Sequence, residues 1–304
     1  MSNSVVLRIL FSPAPRTKIW MAAIAEACRN AHWDYFENWG GALPKLKAGR
    51  NAVIVGWNYD NDVPEAHWCV LACDPRSAAV YLKQRQNLPE AELLYHVAGR
   101  FAIMSKLAIE GASVWRDDSE AIDVPFLGEV RPAGGAYAAP PAEGPLSLYG
   151  AIPPLIGATV EWPAGYFSYP GLTASTDAAM TLELIGRRRL LFNGPNFSLP
   201  PGLWTARARF DLDPKWAAVD LLMEWGHGEH VQAFRQALTT PGSYELALSH
   251  RWEVAAPADF RISIMRPVLE WTLTFHGLTV ECEGRSIPSV DAEHEVVLEG
   301  AGPG

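Results

Sequence analysis

Trp204-Thr-Ala-Arg-Ala-Arg-Phe210 sets Trp204, Ala206, Ala208 and Phe210 on one face of an extended chain, and Thr205, Arg207 and Arg209 on the other. The same alternation recurs in Val219, Leu221, Met223 and Trp225, in Tyr244, Leu246, Leu248, His250 and Trp252, and in Leu269, Trp271, Leu273 and Phe275. A period of two with one apolar and one polar face describes strands that are dry on one side only, which is the pattern of antiparallel sheets. Asn193-Gly194-Pro195, Pro200-Pro201-Gly202 and Pro241-Gly242 interrupt the runs at the spacing of a sandwich or jelly roll. The reading is a jelly-roll-type antiparallel β-sandwich over residues 146–283, followed by a tail at 284–304.

Upstream the period changes. Val5 to Phe11 reads as a buried strand, and Ile19, Trp20, Ala23, Ile24, Ala27 and Cys28 then recur at helical spacing. Ala52-Val-Ile-Val-Gly56 and Trp68-Cys-Val-Leu-Ala72 are two further apolar strands. Asp74-Pro75 supplies an N-cap followed by proline at the first helical position, predicting a helix to about Gln86. Pro89 opens another helix, whose apolar stripe of Leu93, Leu94, Val97, Phe101, Met104, Leu107 and Ala108 stops at Gly111. Ala112 to Trp115 closes the set as a strand. Strands alternating with helices predict a small Rossmann-like α/β domain over residues 1–130, with a mainly parallel sheet. Between the halves, Arg131-Pro-Ala-Gly-Gly-Ala-Tyr-Ala-Ala-Pro-Pro-Ala-Glu-Gly-Pro145 denies helices and ladders their hydrogen bonds and reads as a linker over 131–145.

Composition agrees with two folded domains. The chain has 304 residues, 49% of them hydrophobic and 19% charged, and exceeds the usual single domain of roughly 100–200 residues. A net charge of −9 argues against nucleic-acid or polybasic membrane partners, which need a positive surface. No apolar stretch is long enough to span a bilayer, and the N-terminus lacks the basic region of a secretory signal. Cys28, Cys69, Cys73 and Cys282 are too scattered for a disulfide framework, so they read as free thiols in a cytoplasmic protein.

Leu184-Ile-Gly-Arg-Arg-Arg-Leu-Leu-Phe-Asn-Gly-Pro-Asn-Phe-Ser-Leu-Pro-Pro-Gly-Leu-Trp-Thr-Ala-Arg-Ala-Arg-Phe210 resembles the jelly-roll modules attached to bacterial glycosyltransferases and polysaccharide-associated proteins. The resemblance covers about a third of the chain. It implies a carbohydrate context and carries over no catalytic residue.

In open α/β sheets, ligands gather where loops leave the carboxyl ends of strands. The first such loop, Ser12-Pro-Ala-Pro-Arg-Thr17, has neither Gly-x-Gly-x-x-Gly nor Gly-Lys-Ser/Thr, so no nucleotide cradle is expected and the cofactor stays unknown. Arg16 or Thr17 could still meet an anion at the helix start, although helix entry explains both. Trp57-Asn-Tyr-Asp-Asn-Asp62 is a second such loop. Asp60 and Asp62 stand two apart, like the metal-diphosphate ligands of sugar-nucleotide transferases, and a solvated turn is the alternative. Asp117 and Asp118 form another acidic loop, where paired carboxylates could do acid and base work alongside Asp60. His227, Glu229 and His230 have zinc-ligand chemistry, but Gly226 and Gly228 favour a hairpin turn. Arg187-Arg188-Arg189 falls on a predicted strand and favours an ion pair.

Aromatic residues are the remaining signal. The chain has 12 tryptophans, several of them in predicted loops: Trp33 and Trp39, Trp57 with Tyr59, and Trp162 with Tyr166, Phe167 and Tyr169. Such rings stack on the C–H faces of sugars, or else cap a core or an interface. The leading expectation is therefore a carbohydrate-associated protein that recognises or helps elaborate a bacterial glycan. The partner would be a glycan or sugar-containing small molecule, and the substrate-binding candidates are Arg16, Trp57, Tyr59, Trp162 and Tyr166. One alternative is a glycosyltransferase-like enzyme with Asp60, Asp117 and Asp118 as catalytic candidates. Another is a structural or assembly protein, in which tryptophans would serve a homo-oligomer interface.

Overall fold

The computed structural model describes residues 4–40, 44–57, 59, 66–134, 144–172, 178–214, 218–285 and 296–300. The chain divides into two compact units: Met1–Glu143 with Tyr149–Pro153, and Gly144–Leu148 with Pro154–Gly304. Of the expected linker, 135–143 lie outside the described residues, and Gly144–Gly150 forms 3-10 helical turns.

The first unit runs β1 (Val6–Phe11), α1 (Thr17–Asn30), β2 (Asp34–Asn38), β3 (Ala52–Gly56), β4 (His67–Ala72), α2 (Pro75–Arg85), α3 (Glu90–Ile109) and β5 (Ser113–Arg116). A small antiparallel hairpin follows, β6 (Ile122–Val124) with β7 (Gly128–Val130). The five main strands form a wholly parallel sheet in the order β2-β3-β1-β4-β5. Near-continuous apolar runs suit the central strands of such a sheet, because both faces are covered. Leu7, Ile9, Phe11, Val53, Val55 and Leu71 pack with Trp20, Ile24 and Cys28 of α1 in one buried core. The pleat turns Arg8, Leu10, Ile54 and Val70 to the opposite face, and α3 packs on β4. Asp74 caps α2 as expected, accepting from the amides of Arg76 and Ser77, with Pro75 at the helix start.

Two elements of this unit were not anticipated. β2 is an edge strand of sequence Asp34-Tyr-Phe-Glu-Asn38, too polar to present an apolar run. It is held in register with β3 by close backbone approach at Gly56, where a Cβ would stand 1.8 Å from the Asn38 carbonyl oxygen. The β6–β7 strands have only three residues each, below the length at which alternation is readable.

The second unit holds two antiparallel sheets. Its strands are β8 (Thr159–Trp162), β9 (Met180–Glu183), β10 (Arg189–Leu199), β11 (Gly202–Pro214), β12 (Val219–His227), β13 (His230–Leu238), β14 (Gly242–Trp252), β15 (Ala256–Ile264), β16 (Trp271–Gly284) and β17 (Val296–Gly300). One sheet has the order β10-β15-β12-β13, and the other β17-β14-β11-β16-β8, with β9 also on β16. The inward faces meet ring on ring: Phe192 of the first sheet stacks on Phe275 of the second at 4.3 Å, and Trp225 meets Trp252 at 5.0 Å. The Trp225 indole N–H also donates to the Trp204 carbonyl across the core.

Three local expectations are corrected. Asn193-Gly194-Pro195, expected to interrupt the runs as a turn, lies inside strand β10 and pairs with β15, whereas Pro200-Pro201-Gly202 does end that strand and carries the chain to the other sheet. Leu269 precedes β16 and is 84% exposed, so the alternating run begins only at Trp271. Arg189 donates to the carbonyls of Ile185 and Glu183, so backbone oxygens take the place of the expected acid.

Candidate functional site

At the carboxyl edge of the parallel sheet, the segment after β1 is tied to those after β4 and β5. Ser12 Oγ accepts from the Cys73 amide at 2.7 Å, and Thr17 Oγ1 donates to the Ser12 carbonyl at 3.0 Å. Arg16 Nη1 donates to the Asp117 backbone carbonyl at 2.7 Å, and the Trp20 indole reaches the same oxygen at 2.9 Å. The structure thus brings Arg16 and Asp117 together, two positions 101 residues apart. The Asp117 side chain is 3% exposed, and neither carboxyl oxygen has a hydrogen-bond partner among the described residues. Burial first, and the neighbouring Asp118 charge second, raise its pKa to about 6, outweighing the pull of Arg116 and Arg16. Asp118 lies 3.9 Å from Arg116 Nε at the surface. Asp60 and Asp62, the expected metal pair, lie outside the described residues.

Beside this edge is a cleft of about 450 Å³, within the size range of small-molecule sites. Its aromatic wall follows from the β2–β3 register. Asn38 pairs with Gly56, so the next residues, Trp39 and Trp57, emerge side by side with rings 5.0 Å apart and nearly perpendicular. Tyr35 and Glu37 of β2 lie on the same wall. The Glu37 carboxylate accepts from the Trp39 indole at 3.0 Å, and burial together with that carboxylate raises the Tyr35 phenol above its ordinary pKa. Trp57 Nε1 is buried with no acceptor among the described residues. From the helices come Lys18 of α1 and Tyr81 and Arg85 of α2. The Arg85 guanidinium sits 4.6 Å over the Tyr81 ring.

Of the aromatic residues singled out in the sequence, Trp39 and Trp57 line the cleft. Tyr59 packs 5.3 Å from Trp68, and its hydroxyl accepts from Lys106 Nζ. Trp162 was expected in a loop but ends strand β8 and is 1% exposed, covered by Phe197 and Trp225. Tyr166 is half-buried against Phe197. The hairpin expected at His227 and His230 is present, pairing the ends of β12 and β13, and His250 of β14 lies 5.8 Å from His227. Among the described residues, no group of three or more His, Cys, Asp or Glu is placed to hold a metal ion. The four cysteines are buried free thiols.

Sequence reasoning missed Lys18, Tyr35, Glu37, Tyr81 and Arg85. The one available signal was Tyr81 and Arg85, which are four apart and so share a helix face. Nothing in the sequence tied them to Trp39 and Trp57. No helix among the described residues is long and apolar enough to cross a membrane. The chain matches no protein-family model and no curated protein.

Proposed function

We propose that this is a carbohydrate-associated protein whose α/β unit binds a sugar-sized ligand in the cleft beside Trp39 and Trp57. The observation that carries the proposal is the perpendicular pair of indoles, with Tyr35 and Glu37 on the same wall. Flat apolar rings receive the C–H face of a pyranose, while the Glu37 carboxylate serves its hydroxyls. Trp39 is 40% exposed, an unfavourable condition for a large ring unless something covers it. In this reading the parallel unit is a Rossmann-like binding domain and the sandwich is a jelly-roll-type module for assembly or display. Titrating the full chain calorimetrically with a panel of mono- and disaccharides tests it. At least one member should bind, and Trp39→Ala should weaken that binding about tenfold or more, the scale of a lost stacking contact. A blank panel, or binding indifferent to Trp39→Ala and Trp57→Ala, would contradict it.

A second reading, a glycosyltransferase-like enzyme, is favoured by Asp117, since a buried carboxyl held near neutrality suits a proton carrier. In that case Asp117→Asn should abolish turnover of a nucleotide sugar while leaving ligand affinity within about twofold.

A further inference from the structure

The aromatic wall leaves open what sort of sugar the cleft would take, and its charges narrow the choice. Two cations line it from the helices, Lys18 on α1 and Arg85 on α2, and neither has a carboxylate partner among the described residues. Arg85 is not a loose side chain, because its guanidinium is stacked on Tyr81. The acid of the cleft, Glu37, stands on the strand side and is engaged by the Trp39 indole. Negative charge on a ligand is therefore opposed at the strand wall and favoured at the helix wall. The arrangement offers an oxyanion charge-assisted hydrogen bonds from the two cations.

Building on the carbohydrate reading, we infer that the cleft selects an anionic sugar. Its ring would lie against Trp39 and Trp57, and its phosphate or carboxylate between Lys18 and Arg85. Both ligand types share this chemistry, since guanidinium and ammonium groups serve either oxyanion.

The test is calorimetric titration of the full chain with glucose, glucuronate and glucose 1-phosphate, repeated on Trp39→Ala and on a Lys18→Ala/Arg85→Ala double variant. Both substituted cations are exposed, so the double variant should fold, and circular dichroism checks that it does. The expected result is that at least one charged sugar binds about tenfold or more tighter than glucose, as charge-assisted contacts imply. That preference should vanish in the double variant and shrink in high salt, and Trp39→Ala should weaken every sugar that binds. Glucuronate against glucose 1-phosphate tells which oxyanion is taken. If glucose binds as tightly as both charged sugars, or the preference survives in the double variant, the inference fails and the carbohydrate reading stands. If neither charged sugar binds, the inference fails, and the wider panel of mono- and disaccharides decides the carbohydrate reading separately.

Discussion

The Arg16 guanidinium meets the backbone carbonyl of Asp117 at 2.7 Å, so this arginine joins the loops after β1 and β5 without forming a hydrogen-bonded ion pair with the Asp117 carboxyl. A carboxyl raised from its ordinary 3.8 to about 6 costs the folded state roughly 3 kcal/mol once ionised. The sign follows from tighter proton binding in the folded chain. The stabilising contribution is complete below about pH 4 and is lost as the pH rises through 6. Asp117→Asn should therefore raise the melting temperature at pH 8 and change it little at pH 4. Melting curves across that range check this, and a difference independent of pH would contradict it.

Gly56 fixes the β2–β3 edge that carries both cleft tryptophans. A methyl group there would overlap the Asn38 carbonyl, and relief requires β2 to move. Gly56→Ala should destabilise the chain by about 1–3 kcal/mol and abolish ligand binding. Urea unfolding together with titration tests both, and an unperturbed variant would show that the approach is not required.

Trp39 and Trp162 should behave oppositely. Trp162 is 1% exposed among Phe197 and Trp225, so Trp162→Ala should cost about 3–5 kcal/mol. Trp39 is 40% exposed, and its loss should affect ligand affinity far more than stability. Denaturation midpoints of the two variants side by side provide the measurement. A large stability loss in Trp39→Ala would make it a core residue.

Thiol chemistry gives a further test. Burial pushes the thiols up, Cys28 to about 11 and Cys69 and Cys73 to about 12, and also raises Cys282. The thiolate is the reactive form, so native protein should resist a thiol reagent and expose four thiols after denaturation. Rapid labelling of native protein at Cys73 would contradict this burial.

The strands of both units were legible because their signals are local: alternation around Trp204 to Phe210, continuous apolar runs in β1 and β3, and a cap-and-proline start at Asp74-Pro75. Sheet order was not legible, since the exchange of chains between sheets at Leu199 to Gly202 depends on tertiary packing. The candidate site was legible in its parts but not in its assembly. Trp57, Arg16 and Asp117 carried recognisable chemistry, while Tyr35 and Glu37 sat on a short polar edge strand without a readable period. Lys18, Tyr81 and Arg85 look like ordinary solvated helix positions until the two helices are placed beside that strand. Trp162 shows the converse, because a tryptophan next to proline resembles a loop platform until a neighbouring strand buries it.

The most direct measurement is a crystal structure of the full chain soaked with the tightest-binding member of the sugar panel. The expected result is a sugar ring against Trp39 and Trp57, with any anionic group near Lys18 and Arg85. A sugar bound on the sandwich, with the cleft empty, would contradict it.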